Sequence, residues 1–230
     1  NRANSTDLGA NWTDVTGEAG ADLGITANTA SDQSVVNARK GALYNAVSFP
    51  NDQWSEATLI TLIGTGSMAS MRVRTGSGVQ SHYSGGFSLE FAAVFDQRIW
   101  KYVAGTGTSL TSAVTDIAQG NLVYLEVQGS TLILKINGTQ VLSVTDTALT
   151  AGSAGLGLRS GATANNAQWD NWTGGDFAAA GAPERTKLGV GTKLYRPRLP
   201  HLIGAGVLAG VLRNPRVTRR ALLGLGRRDL

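Results

Sequence analysis

Residues 1–177 predict an all-β fold built as a β-sandwich. Short runs rich in Val, Ile, Leu, Thr and aromatic residues alternate with clusters of Gly, Asn, Asp and Ser, a pattern typical of many strands joined by tight turns. No part of this region shows a sustained helical period with caps. Because the predicted strands are apolar, a second sheet must cover them, and we expect two packed sheets.

The most regular pattern lies in 122–144. Apolar residues alternate along two runs that Gly129-Ser130 separates, and Asn137-Gly138 then suits a two-residue hairpin turn. Three successive antiparallel strands predict a meander. Over the whole region the predicted strands are Ala42–Ser48, Trp54–Ile63, Met68–Arg74, Phe87–Phe95, Arg98–Ala104, Leu122–Gln128, Thr131–Asn137, Gln140–Val144, Ala154–Arg159 and Gln168–Thr173.

Composition excludes several kinds of site and divides the chain. The 230 residues contain no Cys, which excludes disulfides, thiolate metal sites and a cysteine nucleophile, and the two His residues are too few for a multi-His metal cluster. Residues 1–177 carry nine Lys and Arg against fourteen Asp and Glu, a balance of −5, whereas 178–230 carry eleven against two, a balance of +9. We therefore predict a sandwich in 1–177, a linker in 178–186 and a basic arm in 187–230.

Several motifs in the first part resemble a known family. They are Asn1-Arg2-Ala3-Asn4, Leu8-Gly9-Ala10-Asn11-Trp12-Thr13, Gln53-Trp54-Ser55-Glu56-Ala57, Gly129-Ser130-Thr131-Leu132, Val144-Thr145-Asp146 with Gly152-Ser153-Ala154-Gly155-Leu156, and Trp169-Asp170-Asn171-Trp172. In this order they resemble concanavalin A-like (laminin-G-like) jelly-roll domains of the kind found in minor tail proteins of phages that infect actinobacteria. The resemblance covers 1–177 and implies a jelly-roll sandwich. It does not imply one function, because this fold hosts lectins, glycosidases and structural modules. The chain begins inside the first motif, so we expect residues upstream of it.

Catalytic residues are not evident. Glucan-cleaving enzymes of this fold place carboxylates on one strand as Glu-x-Asp-x-(x)-Glu, and no such triplet occurs. Glu56, Glu90 and Glu126 each stand alone in a predicted strand, and neither His82 nor His201 lies near a nucleophile elbow. We predict that the protein is not an enzyme, although a carboxylate pair from different strands stays open.

A glycan-binding groove is the main candidate site. Aromatic rings can stack on pyranose rings while planar polar groups bind the hydroxyls. Arg98, Trp100 and Tyr102 alternate on one predicted strand face, Arg72 and Arg74 share a face of another strand, and Tyr83 follows in the next segment. We predict that these six residues bind a glycan. The alternative is that the aromatic residues pack in the core. The other Trp residues are expected in the core or at a seam: Trp12, Trp54, Trp169 and Trp172.

Calcium often accompanies this fold, held by loop oxygens. The possible ligands are Asp7, Asp14, Asp146, Asp170, Asn171 and Asp176. None of them shows an EF-hand-like spacing, and local bonds to backbone amides explain the Asp170-Asn171 pair. We predict no metal and no cofactor.

The basic arm predicts docking on neighbouring subunits. Prolines favour an extended segment after 187, and the uncharged run 202–212 is too short to cross a membrane, which takes about 20 apolar residues. Because Tyr195 is its only aromatic residue, nucleic-acid binding is disfavoured. A membrane-surface tail and a disordered appendage are the other readings. The predicted docking residues are Tyr195, Arg196, Arg198, Leu202, Val207, Leu208, Leu212, Arg213, Arg216, Arg219 and Arg220.

Together these features favour a phage virion structural protein, a minor tail or tail-tip protein located in the virion. Its sandwich is expected to face outward and bind host-surface glycans, while the arm anchors it to other subunits. The alternatives are a secreted bacterial carbohydrate-binding or glycoside-hydrolase module and a capsid decoration protein.

Overall fold

The computed structural model describes residues 3–18, 23–33, 38–89, 96–114, 118–161 and 163–177. The predicted linker and arm, with all the predicted docking residues, lie outside the described residues, as does Glu90. Within these ranges no helix has the length and apolar character needed to cross a membrane.

The described residues form two antiparallel sheets of seven strands each. The first sheet contains, in spatial order, β1 (Trp12–Asp14), β4 (Lys40–Tyr44), β13 (Ser153–Arg159), β6 (Met68–Thr75), β7 (His82–Ser88), β8 (Asp96–Val103) and β9 (Thr106–Val114). The second sheet contains β12 (Thr139–Thr145), β11 (Thr131–Ile136), β10 (Leu122–Gln128), β5 (Gln53–Leu62), β14 (Ala167–Asp176), β3 (Thr29–Asp32) and β2 (Leu23–Thr26). The predicted all-β sandwich is confirmed.

The chain passes repeatedly between the two sheets. Two meanders, β6–β9 and β10–β12, lie in different sheets, and the closing strands enter between strands formed much earlier in the chain. β13 lies between β4 and β6, and β14 lies between β5 and β3. This interleaving of early and late strands is the topology of a jelly roll.

Most predicted strands are found, several with shifted ends. Of the strand predicted at Phe87–Phe95, residues 90–95 lie outside the described residues, and Phe87 and Ser88 form the end of β7, whose earlier residues from His82 were not predicted as a strand. Its centre is Ser84-Gly85-Gly86, which carries no β-branched signal. Gly86 is nevertheless required, because a Cβ there would stand 2.2 Å from the carbonyl oxygen of Ala69 on β6. The sequence analysis also missed β1, β2, β3 and β9.

The inward faces of the sheets form one apolar core. Trp169 and Trp172 are buried in it, and the Trp172 Nε1–H donates to Ser55 Oγ at 2.9 Å. Trp12 packs edge-on against Trp172 with ring centres 4.6 Å apart. The expectation that these three Trp residues lie in the core or at a seam is confirmed. Trp54 is not in the core: it is half-buried on the outer face of the second sheet, against the closing strand β14.

Candidate functional site

An aromatic and cationic cluster occupies the outer face of the first sheet near β8. Ile99 is fully buried in the core, so strand alternation turns Arg98, Trp100 and Tyr102 outward. Arg98 and Trp100 are half-buried, and the Arg98 guanidinium carbon lies 5.6 Å from the centre of the Trp100 ring. The Arg98 Nε–H donates to Asp96 Oδ2, which holds the guanidinium in place.

Buried rings support Trp100 from one side. Tyr102 is 2% exposed and lies between Trp100, with ring centres 6.1 Å apart, and His82, at 4.8 Å. Arg39, which precedes β4, places its guanidinium carbon 5.9 Å from the Trp100 ring and 5.2 Å from the Tyr102 ring. We call Arg39, His82, Arg98, Trp100 and Tyr102 the Trp100 cluster. It offers a half-exposed ring that is held in place beside two cations.

His82 contributes no charge to this cluster at neutral pH. Burial lowers the pKa of the imidazole well below 6.5, and the nearby positive charges of Arg72 and Arg39 lower the pKa further. The positive charge of the cluster is therefore carried by its arginines.

Arg72 forms a buried ion pair with Glu18. Its two terminal nitrogens donate to the Glu18 carboxylate at 3.1 and 2.7 Å, and one of them also donates to the Lys40 carbonyl at 3.1 Å. Both side chains are buried, at 0% and 2% exposure. Gly41 and Gly157 leave the space that the guanidinium fills. The prediction that Arg72 contacts a glycan is wrong, because no part of it reaches the surface.

Arg74 ties three connections together at one end of the sandwich. Its backbone has φ 50°, and its guanidinium donates to the carbonyl oxygens of Asn51 at 2.9 Å, Leu149 at 2.8 Å and Gly129 at 2.6 Å. At 3% exposure it is a structural residue. Its assignment to the glycan groove is also wrong.

Tyr83 belongs to the core side of β7. Its hydroxyl donates to Asp146 Oδ1 at 2.6 Å and accepts the Leu149 N–H at 3.0 Å. Burial and the hydrogen bond to Asp146 raise the pKa of Tyr83 to about 12. Tyr83 therefore lies on the opposite face of the sheet from the Trp100 cluster, and the prediction of a single groove with all six residues is wrong. Tyr102 shares the predicted face but is buried, and it supports the Trp100 ring from one side.

Asp146, one of the candidate calcium ligands, accepts hydrogen bonds from protein donors. Burial favours a higher pKa, but hydrogen bonds from Lys101, Tyr83 and the Ala148 N–H outweigh it and lower the pKa of this carboxyl. In the part of the chain that the structure describes, no group of three or more His, Asp or Glu residues could hold a metal ion.

A second aromatic pair lies on the outer face of the second sheet. Trp54 and Tyr124 are half-buried, and their rings are nearly parallel, with centres 5.6 Å apart. The same face carries Glu56 and Glu126, two of the three carboxylates considered for catalysis. Glu126 is 5% exposed and accepts a hydrogen bond from Lys135 Nζ at 3.0 Å.

Sequence reasoning missed this pair and part of the Trp100 cluster. Trp54 alternates in phase with Glu56 and Thr58 and out of phase with Ser55 and Ala57, so the pattern did contain a signal for an outward ring. No sequence pattern identifies Arg39, because it precedes β4 and lies near Trp100 of β8 only in the folded chain.

Comparisons with known proteins give no match by sequence. No family model matches the chain, and no curated protein matches it. The folded chain does resemble solved structures. The carbohydrate-binding module CBM66 from Bacillus subtilis has a TM-score of 0.48 at 14% identity, over 74% of this chain and 95% of that chain. The galectin LEC-6 from Caenorhabditis elegans has a TM-score of 0.42 at 10% identity, over 63% and 96%. A β-glucanase from Bacillus licheniformis has a TM-score of 0.46 at 14% identity, over 70% and 89%.

These likenesses concern the arrangement of strands alone. On its own strand order, the described part of the chain is an all-β jelly-roll sandwich, as the sequence predicted.

Proposed function

We propose that the sandwich is a glycan-binding domain and that the Trp100 cluster is its binding site. The observation that carries the proposal is the half-exposed Trp100 ring, held by buried Tyr102 and flanked by the guanidinium groups of Arg39 and Arg98. An aromatic ring supplies the surface on which a pyranose stacks, and planar donors beside it bind pairs of hydroxyls or a carboxylate. The excess of positive charge favours glycans that carry acidic groups.

The test compares Trp100→Ala with Val103→Ala, an exposed residue of the same strand outside the cluster. Affinity for acidic and neutral oligosaccharides is measured by calorimetry, and thermal unfolding checks the fold. We expect Trp100→Ala to weaken binding of the acidic oligosaccharide about tenfold or more, the equivalent of about 1.4 kcal/mol, while Val103→Ala binds it like the wild type. Unchanged affinity in a folded Trp100→Ala variant would refute the site.

We further propose that this domain binds without catalysis. Glu56 and Glu126 face outward from the second sheet, away from the Trp100 cluster, and Glu126 is engaged by Lys135. Release of reducing ends from a bound glycan, lost in Glu126→Gln, would replace this proposal by the glycoside-hydrolase alternative.

For the whole chain we propose a structural role in a phage virion, in the tail or tail tip, with 187–230 docking on other subunits. The motif resemblance supports this, as does the contrast between a body with a charge balance of −5 (nine minus fourteen) and an arm of +9 (eleven minus two). Light scattering on the full chain and on residues 1–177 tests the arm. A folded monomer of the short form beside an oligomeric full chain supports docking. Two monomers, with an arm that protease removes freely, favour the secreted carbohydrate-binding module instead.

A further inference from the structure

We propose a second glycan-binding site, formed by Trp54 and Tyr124 on the outer face of the second sheet, for glycans that lack acidic groups. It is separate from the Trp100 cluster, because the outer faces of a two-sheet sandwich point in opposite directions. The proposal rests on the placement of the two rings and on the charges around them.

The Trp54 indole lies flat on the sheet. The residue opposite Trp54 on β14 is Gly175, and a Cβ there would stand 3.0 to 3.1 Å from three indole atoms, Cζ2, Cε2 and Nε1. Because this Cβ position is almost equally far from three neighbouring indole atoms, it lies over a face of the Trp54 ring and not at its edge. The glycine thus lets the ring cover the backbone of β14 with one face, and the other face is directed away from the sheet.

A hydrogen bond holds the indole in this position. Its Nε1–H donates to the Asp176 carbonyl oxygen at 3.1 Å, so the polar edge of the ring is satisfied by the protein. A ring that is already oriented loses little conformational freedom when a ligand stacks on it, which favours binding.

Tyr124 extends this surface across the next strand. It lies opposite Glu56 on β5, diagonal to Trp54, and its ring is tilted by only 21° from the indole plane. On the far strand of the meander, Lys135 lies opposite Tyr124 and places its ammonium 4.9 Å from the centre of the phenol ring. The two half-buried rings are stacked in nearly parallel, offset planes, and a sugar ring and its neighbour can stack on the aromatic surface that they leave exposed.

The charges on this face select against acidic glycans. Beside the rings the described residues carry two carboxylates, Glu56 and Glu126, and one cation, Lys135, and a third carboxylate, Asp170, lies farther along this face opposite Thr58. A carboxylated sugar would meet net negative charge here, whereas a neutral or amine-bearing sugar would not. The Trp100 cluster has the opposite excess, so the two faces are expected to differ in the glycans that they accept.

The experiment uses the full chain and three probes: a neutral glucose hexamer, a glucosamine hexamer with free amines and a galacturonic acid hexamer. Binding to each is measured by calorimetry for the wild type and for Trp54→Ala, Tyr124→Ala and Trp100→Ala. Thr58→Ala, on the outer face of β5 beyond the aromatic pair, is the matched control. Thermal unfolding identifies any variant that does not fold.

We expect Trp54→Ala and Tyr124→Ala each to weaken binding of the neutral and amine-bearing hexamers about tenfold or more, and Thr58→Ala to leave it unchanged. Trp100→Ala should leave these two affinities unchanged and weaken only binding of the acidic hexamer. If Trp54→Ala does not fold, Tyr124→Ala decides the question alone.

Wild-type affinity of folded Trp54→Ala and Tyr124→Ala for both non-acidic hexamers would overturn the proposal, and so would failure of the wild type to bind either of them at millimolar concentration. Loss of these affinities in Trp100→Ala instead would also overturn it, and would assign all binding to the first sheet. Failure at Trp100 alone leaves the Trp54 result intact, so the two sites are tested separately.

Discussion

His82 should make the folded chain lose stability as the pH falls below neutrality. Its imidazole is buried, with a pKa held well below 6.5 by burial and by Arg72 and Arg39. Below pH 6.5 the unfolded chain binds a proton at this position and the folded chain does not. Stability therefore rises with pH in this range and falls on acidification, the direction that linkage requires for a histidine whose pKa is lowered on folding.

While the His82 imidazole of the folded chain stays neutral, the loss of stability depends only on how far the imidazole of the unfolded chain is protonated. At pH 5.5, one unit below the ordinary pKa of 6.5, protonation of the unfolded state costs about 1.4 kcal/mol of stability. For a domain of about 150–250 residues, 1 kcal/mol shifts the midpoint of thermal unfolding by about 2–4 °C. His82 alone should thus lower the midpoint by about 3–6 °C between pH 7.5 and 5.5.

Thermal unfolding followed by circular dichroism checks this, with wild type, His82→Gln and His201→Gln measured at matched pH values. Glutamine at 82 keeps a polar side chain but does not titrate, so His82→Gln should lose less stability on acidification than the wild type. His201→Gln removes the other imidazole of the chain and is the matched control. Equal losses in the wild type and His82→Gln would refute the reasoning, because the imidazole would then titrate alike in the folded and unfolded states.

Two substitutions test buried polar contacts. Tyr83→Phe removes the donor to Asp146 and the acceptor for the Leu149 N–H, so we expect a loss of about 1–3 kcal/mol. Urea unfolding measures it, and an unchanged midpoint would contradict the role of the hydroxyl. Gly41→Ala would place a Cβ 1.7 Å from Arg72 Nη1 and break its buried ion pair. A loss of about 3–5 kcal/mol is expected, and wild-type stability would show that the guanidinium can move aside without cost.

The parts of the fold that were predictable are those whose pattern is local. The meander 122–144 alternates regularly and turns at Asn-Gly, and β10 was predicted with the bounds that the structure has. Strand β9, Thr106–Val114, escaped prediction because it is rich in Thr, Ser and Gly and mostly exposed. Such an edge strand is specified by its neighbour β8 more than by its own residues.

The candidate site was less predictable because residues that are distant in the sequence decide whether a charged side chain is exposed or buried. From sequence alone, Arg72 and Arg74 on one strand indicate an exposed face that could contact a ligand. Arg72 is instead buried by Glu18, 54 positions away, together with the space at Gly41 and Gly157. Trp54 is the contrary case, because it alternates in phase with the charged Glu56, and this pattern predicts an outward-facing ring.

The three hydrogen bonds from Arg74 to backbone carbonyl oxygens also limit where residues can be inserted into this chain. They join the β4–β5, β10–β11 and β12–β13 connections, so an insertion in any one of them would pull against the other two. The turn at Gly129 looks, from sequence, as permissive as the turn at Gly138. At both glycines nothing lies within 4 Å of where a side chain would begin, but only the turn at Gly138 is outside that junction. An epitope tag or a grafted loop therefore belongs between β11 and β12.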